Sequence, residues 1–224
     1  MKKLIIIIVV LAIIFVGMFL YKSNAIKSKN NVNVQEIEKI ETYITKIYMW
    51  KEVTGEALPI FENINDAPDI WIWEVVKKNL EDYELTYDQI ENEAKTLFGS
   101  EFTKNFPKNG TQYIIYDSEN DKYYAEGAGI DQEEDDFLLN KIEKNGEEYQ
   151  VEILEYLEDY SDYNNDEIII KNLNEEEVKR IKTSEESIVK DVVKENIDRF
   201  SKKILTIDVD KKSGNYFVKN IKKQ

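Results

Sequence analysis

Forty-five carboxylates, 30 cationic side chains and 14 tyrosines supply the chemistry open to this chain, which has no histidine and no cysteine. Without imidazole the commonest general base near neutral pH is gone, and Ser-His-Asp and Cys-His machinery goes with it. Histidine-ligated zinc and iron sites are excluded for the same reason. The missing thiols exclude disulfides, thiolate nucleophiles, cysteine-ligated metals and anchoring through a lipobox cysteine. A catalytic site would have to be built from Asp, Glu, Lys, Tyr or Ser alone. Paired carboxylates cleave glycosides, but among 45 acids no pair is singled out by spacing. The expectation is a non-enzymatic protein with no cofactor.

Two acidic clusters invite a cation. The first is Asp131, Glu133, Glu134, Asp135 and Asp136; the second is Asp159, Asp162, Asn164, Asp166 and Glu167. The second has the Asp-x-Asn-x-Asp opening of a calcium loop, but Glu167 stands where such a loop needs glycine, and Leu173 where it needs a bidentate glutamate. It reads as a solvated hairpin loop, with Asp159, Asp162, Asn164 and Asp166 the candidate ligands for a weakly held cation.

Aromatic residues offer the other chemistry, stacking. Tyr48, Trp50, Trp71 and Trp73 concentrate near the N-terminal side of the chain. On a helix, side chains two residues apart diverge by about 200°, so Trp71 and Trp73 cannot form one platform. Trp73 is expected in the core, and Trp71 with Tyr123 and Tyr124 forms the candidate ligand cleft. Gly127-Ala128-Gly129 is too short for a phosphate loop and reads as a turn or bulge. Asn109-Gly110 is a tight-turn pair.

These residues must be positioned by an α+β arrangement. Ile37, Ile40, Ile44 and Ile47 recur at helical spacing and predict a helix over 34–50. Residues 53–68, with Gly55, Pro59 and Pro68, read as a loop. Asp69 is the expected N-cap of a second helix to about Leu80, with Ile70, Trp73, Val76 and Leu80 on its apolar face. Thr86 and Gln89 have capping-box spacing for a third helix, which Gly99 ends. A hairpin follows, formed by 113–116 and 122–124. Strands are expected at 137–142, 149–157 and 167–171, the last buried on both faces because three isoleucines run together. Thr183 and Glu186 predict a capped helix over 184–200, and a hairpin over 204–221 closes the chain. The order predicts N-terminal helices packed on one face of a curved, mainly antiparallel sheet.

Leu4 to Leu20 is unbroken apolar sequence apart from Gly17, preceded by Lys2 and Lys3. At about 1.5 Å per residue it reaches the short end of a membrane span. It is longer than the apolar region of an ordinary signal peptide. We therefore expect residues 1–21 to be a retained transmembrane anchor, or an uncleaved signal, 22–34 a polar tether, and 35–224 an acidic domain outside the cytoplasm. Cleavage after Ala25 would release it. The formal charge is −15. The first 25 residues hold three lysines and no acid, so the rest carries −18. Such a surface repels nucleic acid and anionic headgroups and favours basic proteins, cationic polymers or divalent cations.

The helices at 35–50, 69–80 and 86–98, the segment from Leu97-Phe98-Gly99 to Phe106-Pro107, and the closing hairpin from Leu205-Thr206 to Tyr216-Phe217 resemble exported cystatin-like proteins of low-GC Gram-positive bacteria, also called nuclear-transport-factor-like. The resemblance covers 37–221 in order of elements, and the helix over 184–200 is an addition to the simplest form of that fold. It implies a shape more than an activity, since such exported domains are often non-catalytic binding modules. The expected role is a membrane-anchored, extracytoplasmic binding module that contacts a protein or envelope component. An inhibitor of a cell-wall enzyme and a carboxylate hydrolase are the alternatives.

Overall fold

The computed structural model describes residues 27–29, 32–80, 84–104, 114–125, 133–160 and 166–224. The apolar stretch 4–20, Asn109-Gly110 and Gly127-Ala128-Gly129 lie outside the described residues. Among the described residues no helix is long and apolar enough to cross a membrane.

Helix α1 (Val34–Ile47) is closed at its start by Asn33 and Glu36, each side chain accepting from the other's backbone N–H at 3.0 and 2.9 Å. It buries Ile37, Ile40, Tyr43, Ile44 and Ile47. It stops short of Trp50 because the chain turns extended at Tyr48. The freed carbonyls are taken by a later helix: Lys78 Nζ donates to Thr45 O (2.9 Å) and Tyr48 O (2.8 Å), and Asn79 Nδ2 to Lys46 O (2.9 Å). A cation there also meets the negative end of the helix dipole.

The expected loop over 53–68 contains the one-turn helix α2 (Lys51–Thr54), ended by Gly55 at φ +83°, and a 3₁₀ turn at Ile64–Asp66. Helix α3 (Asp69–Asn79) begins one residue differently from expectation. Pro68 occupies the capping position, with its carbonyl accepting from Ile72 N at 3.1 Å, and Asp69 is the first helical residue, paired with Lys104 at 2.6 Å. Proline lacks the N–H that a helix start leaves unpaired, so it costs nothing there. Instead of one apolar stripe, α3 buries Trp71 through Val76 without a break, which makes it the central helix. Helix α4 (Tyr87–Phe98) follows β2 (Glu84–Thr86). It carries the expected Thr86–Gln89 box and ends at Gly99, φ +85°.

Strands β3 (Ile114–Asp117) and β4 (Lys122–Ala125) join β2 in a small antiparallel sheet ordered β2-β4-β3. The large sheet centres on β6 (Glu148–Asp159). One edge of β6 pairs with β5 (Glu133–Asn145) along its whole length. Its other edge is shared: residues 149–155 pair with β9 (Ser201–Val209) and 157–159 with β7 (Glu167–Lys171). Beyond these lie β8 (Glu177–Lys182) and β10 (Tyr216–Lys223). Strand β8, unforeseen in the sequence, is a charged edge that buries only Ile181. All pairings in this sheet are antiparallel except one. Residues Lys27–Lys29, expected in the tether, form β1 and pair in parallel with 141–143 of β5.

Alternation along β6 sends Tyr149, Val151 and Ile153 into the core under α1, α3 and α4, and Leu154 and Tyr156 into a second core. The second core includes Ile168, Ile170, Val192, Val193 and Phe200. Helices therefore cover both faces, not one. The predicted helix over 184–200 is broken up. A 3₁₀ turn (Thr183–Ile188) leads into α5 (Val189–Glu195), and a second follows at Ile197–Arg199. Its entrance shifts too, since Lys182 N, not Thr183, is met by a glutamate, Glu185 (3.2 Å), while Thr183 N donates to Asp166 O at 2.9 Å. That bond to the start of β7 fixes the turn, and a run of β-branched residues gives the helix little propensity to resist it.

Candidate functional site

The structure does not assemble the aromatic cleft expected from the sequence. Trp71 is fully buried, its Nε1 donating to Ala57 O at 3.1 Å and its ring packed on Phe61 and Phe98 at 5.8 and 5.6 Å. Tyr123 is also buried, against Trp73 (5.1 Å) and Tyr116 (4.9 Å). Its hydroxyl finds no hydrogen-bond partner among the described residues, and burial pushes its pKa up to about 12. Tyr124, half-buried on the opposite face of β4, pairs with Glu84 and Ile115. Trp71 and Trp73 are core residues because α3 buries every residue from Trp71 to Val76, so both sides of the helix there are inside.

Of the predicted cation loop, Asp159 and Asp166 are described. Asp159 is a buried strand residue committed to Lys171 at 2.5 Å. Asp166 is exposed at φ +53° and gives its carbonyl to Thr183. Asp162 and Asn164 lie outside the described residues. Among the described residues no group of three or more acids is placed to hold a metal. In the first acidic cluster, Asp135 and Asp136 belong to β5 and hold neighbouring elements. Asp135 accepts from Lys51 N, the first amide of α2. Asp136 accepts from the Tyr156 hydroxyl at 2.7 Å.

What the structure forms instead is a cleft of about 230 Å³ between α2 and α3, lined by Tyr48, Met49, Trp50, Val53, Glu74, Lys77 and Lys78. Trp50 stands at its lip, 50% exposed, while the other two tryptophans are buried. The polar groups in the wall are already engaged. Glu74, buried, pairs with Lys77 at 3.6 Å, and Lys78 is held by the carbonyls that end α1. Burial lowers the pKa of Lys78. The cleft offers an indole face and an apolar wall; of its three charged groups Glu74 pairs with Lys77, and Lys78 is met by the carbonyls that end α1. Its volume is below the roughly 300–1,000 Å³ of sites that enclose a whole small ligand. It suits one side chain or one ring of something larger.

In the sequence Trp50 falls among the N-terminal aromatics and at the end of the helix expected over 34–50. The turn at Tyr48 takes it out of that helix. The usable signal is Trp50-Lys51-Glu52 followed by Gly55: a tryptophan in a polar, turn-forming context.

Compared with protein-family models, curated proteins and solved structures, the chain matches none.

Proposed function

We propose that this chain is a binding module, held at the outer face of the cell membrane by residues 4–20, whose Trp50 cleft receives an apolar side chain of a basic partner protein. The observation that carries the reading is the half-exposed indole over a small, largely apolar cleft whose polar groups already have partners within the protein. Exposed tryptophan beside a small apolar pocket is the composition of an interface anchor. The acidic surface steers a basic partner toward it and adds rate and salt dependence more than affinity. Within this reading the N-terminal stretch is the anchor, and the domain it holds is taken as one of the exported cystatin-like binding modules that its order of elements resembles.

Tryptophan fluorescence tests the proposal directly, because Trp50 alone of the three indoles is exposed. The probe is a lysine-flanked phenylalanine peptide, titrated against the full-length chain in neutral detergent. Expected is a saturable blue shift, weakened at high salt. Trp50→Ala, which removes the fluorescent reporter and is therefore titrated calorimetrically beside wild type, should weaken binding about 30-fold, the equivalent of an anchor worth about 2 kcal/mol. A peptide with alanine in place of phenylalanine should not bind. Equal affinity of wild type and W50A refutes the assignment.

A further inference from the structure

A groove runs beside α1 as two adjoining depressions of about 550 and 480 Å³, which share Lys39, Gly214 and Tyr216. One wall is a flank of α1. Gln35, Lys39, Thr42 and Lys46 recur there at three- and four-residue steps, and all four are exposed. Between Gln35 and Lys46 the helix rises about 16 Å, at about 1.5 Å per residue. The other wall is the turn between β9 and β10, with the end of α4 beside one depression and the turn between β5 and β6 beside the other.

Tyr216 stands where the two depressions meet. It lies two residues before the core residue Val218 on β10, so alternation puts it on the face of the sheet that α1 covers. Its half-buried ring packs against Tyr149 at 5.9 Å, and the Tyr149 hydroxyl donates to Glu36 at 2.7 Å. The ring is thus set in place before any ligand arrives. Around it the walls are polar. The side-chain amides of Gln35 and Asn215 have no hydrogen-bond partner among the described residues. Charge nearly cancels: Lys39, Lys46, Lys144 and Lys211 face Glu38, Glu147 and Asp210, and Glu36 lies behind Lys144 at 2.5 Å. In a chain of formal charge −15, a groove so balanced has little net field and selects neither an anion nor a cation.

We propose that this groove binds an uncharged glycan chain, with one sugar ring on Tyr216. A pyranose ring has an apolar face of C–H groups, which rests on the electron-rich face of an aromatic ring. Its rim of hydroxyls both donates and accepts, and amides with ammonium and carboxylate groups supply both kinds of partner. A peptide would ask instead for apolar pockets or an open strand edge. Here the Val218 amide on that edge is already given to the Tyr43 hydroxyl, at 2.7 Å. A wall made by one helix is straight, which suits an extended β-1,4-linked chain better than a coiled α-1,4-linked one. The groove shares no lining residue with the Trp50 cleft and stands or falls independently of it.

Cellotetraose and tetra-N-acetylchitotetraose, titrated calorimetrically into the full-length chain in phosphatidylcholine nanodiscs, are the direct probes. Expected is saturable binding. Binding of both assigns the groove to the ring and hydroxyls they share, and binding of one alone assigns it to acetamido sugars or to plain hexoses. Maltotetraose, with its coiled linkage, should bind at least tenfold more weakly than the better of the two. Tyr216→Ala should weaken binding at least tenfold, while Tyr216→Phe, which keeps the ring, should stay within threefold of wild type. Tyr216 also touches the core, so Gln35→Ala with Asn215→Ala, at two exposed positions, gives a second reading: at least fivefold weaker binding with an unchanged urea midpoint. W50A should bind the glycan as wild type does. No saturable heat with either tetrasaccharide, or equal affinity of Y216A and wild type, overturns the proposal. So does binding of the lysine-flanked peptide that survives in W50A and is lost in Y216A, which would give the groove to a peptide.

Discussion

Tyr43→Phe removes one oxygen and should unsettle three elements at once. In the wild-type chain the Tyr43 hydroxyl, fully buried on α1, donates to Leu97 O at 2.9 Å and accepts from Val218 N at 2.7 Å. Leu97 lies in the last turn of α4, where carbonyls have no helical partner. Val218 lies where the β9–β10 ladder slips register, between Val218 and Asn220. The hydroxyl thus satisfies two backbone groups that neither a helix nor a sheet can reach. Phenylalanine keeps the ring packing and leaves a donor and an acceptor buried. An orphaned buried group costs about 1–3 kcal/mol, and the carbonyl, with a second lone pair, falls at the low end. The sum is about 2–3 kcal/mol, equivalent to about 4–12 °C in Tm for a domain of this size. Urea unfolding followed by circular dichroism should show a lower midpoint with an unchanged slope. Hydrogen exchange at the Val218 amide should accelerate. Tyr48→Phe, which removes a single bond to Asp136 O at 3.1 Å, is the internal comparison and should cost about 1 kcal/mol. A loss below about 0.5 kcal/mol in Y43F, within the range of neutral surface changes, would refute this account of the knot.

Glu36 lies between Lys144 and Tyr149, at 2.5 and 2.7 Å. Burial alone would raise its pKa, but these two partners and the Asn33 amide bring it from 4.5 down to about 2. A depressed carboxylate stabilises the fold above its unfolded pKa and loses that contribution as pH falls toward its folded one. The stability gap between wild type and Glu36→Gln should therefore be full at pH 7, shrink below about pH 4.5 and close near pH 2, as read from urea midpoints. Lys203→Met alone leaves Glu155 buried without its partner and should cost about 3–5 kcal/mol; Lys203→Met with Glu155→Leu should recover most of that in a double-mutant cycle. Gly99→Ala forces a side chain onto φ +85° and sets its Cβ 2.8 Å from Phe217. It should cost about 2 kcal/mol or more, with Phe217→Ala relieving part of the loss so that the two substitutions are strongly non-additive in unfolding melts.

Local chemistry decided a good deal before any tertiary contact. The Thr86–Gln89 box, the isoleucine stripe of α1, the three isoleucines of β7 and the turn-flanked strands of the closing hairpin are interactions within a few residues, and each formed where its pattern lies. The absence of histidine and cysteine is equally a property of the chain alone, and it bounds the chemistry whatever the fold. Tertiary structure decided the rest because burial is a relation between distant segments. Whether Trp71 is a ligand platform or core depends on what covers the second side of α3. Whether Asp159 is a ligand or half of an ion pair depends on Lys171 arriving in the next strand. Net charge is additive along the chain, but the field in a cleft is not. Lys203 neutralises the buried Glu155 only because β9 pairs with β6. Trp50 became a surface residue for the same kind of reason: Lys78 and Asn79, some thirty residues further on, closed the helix before it could reach the indole.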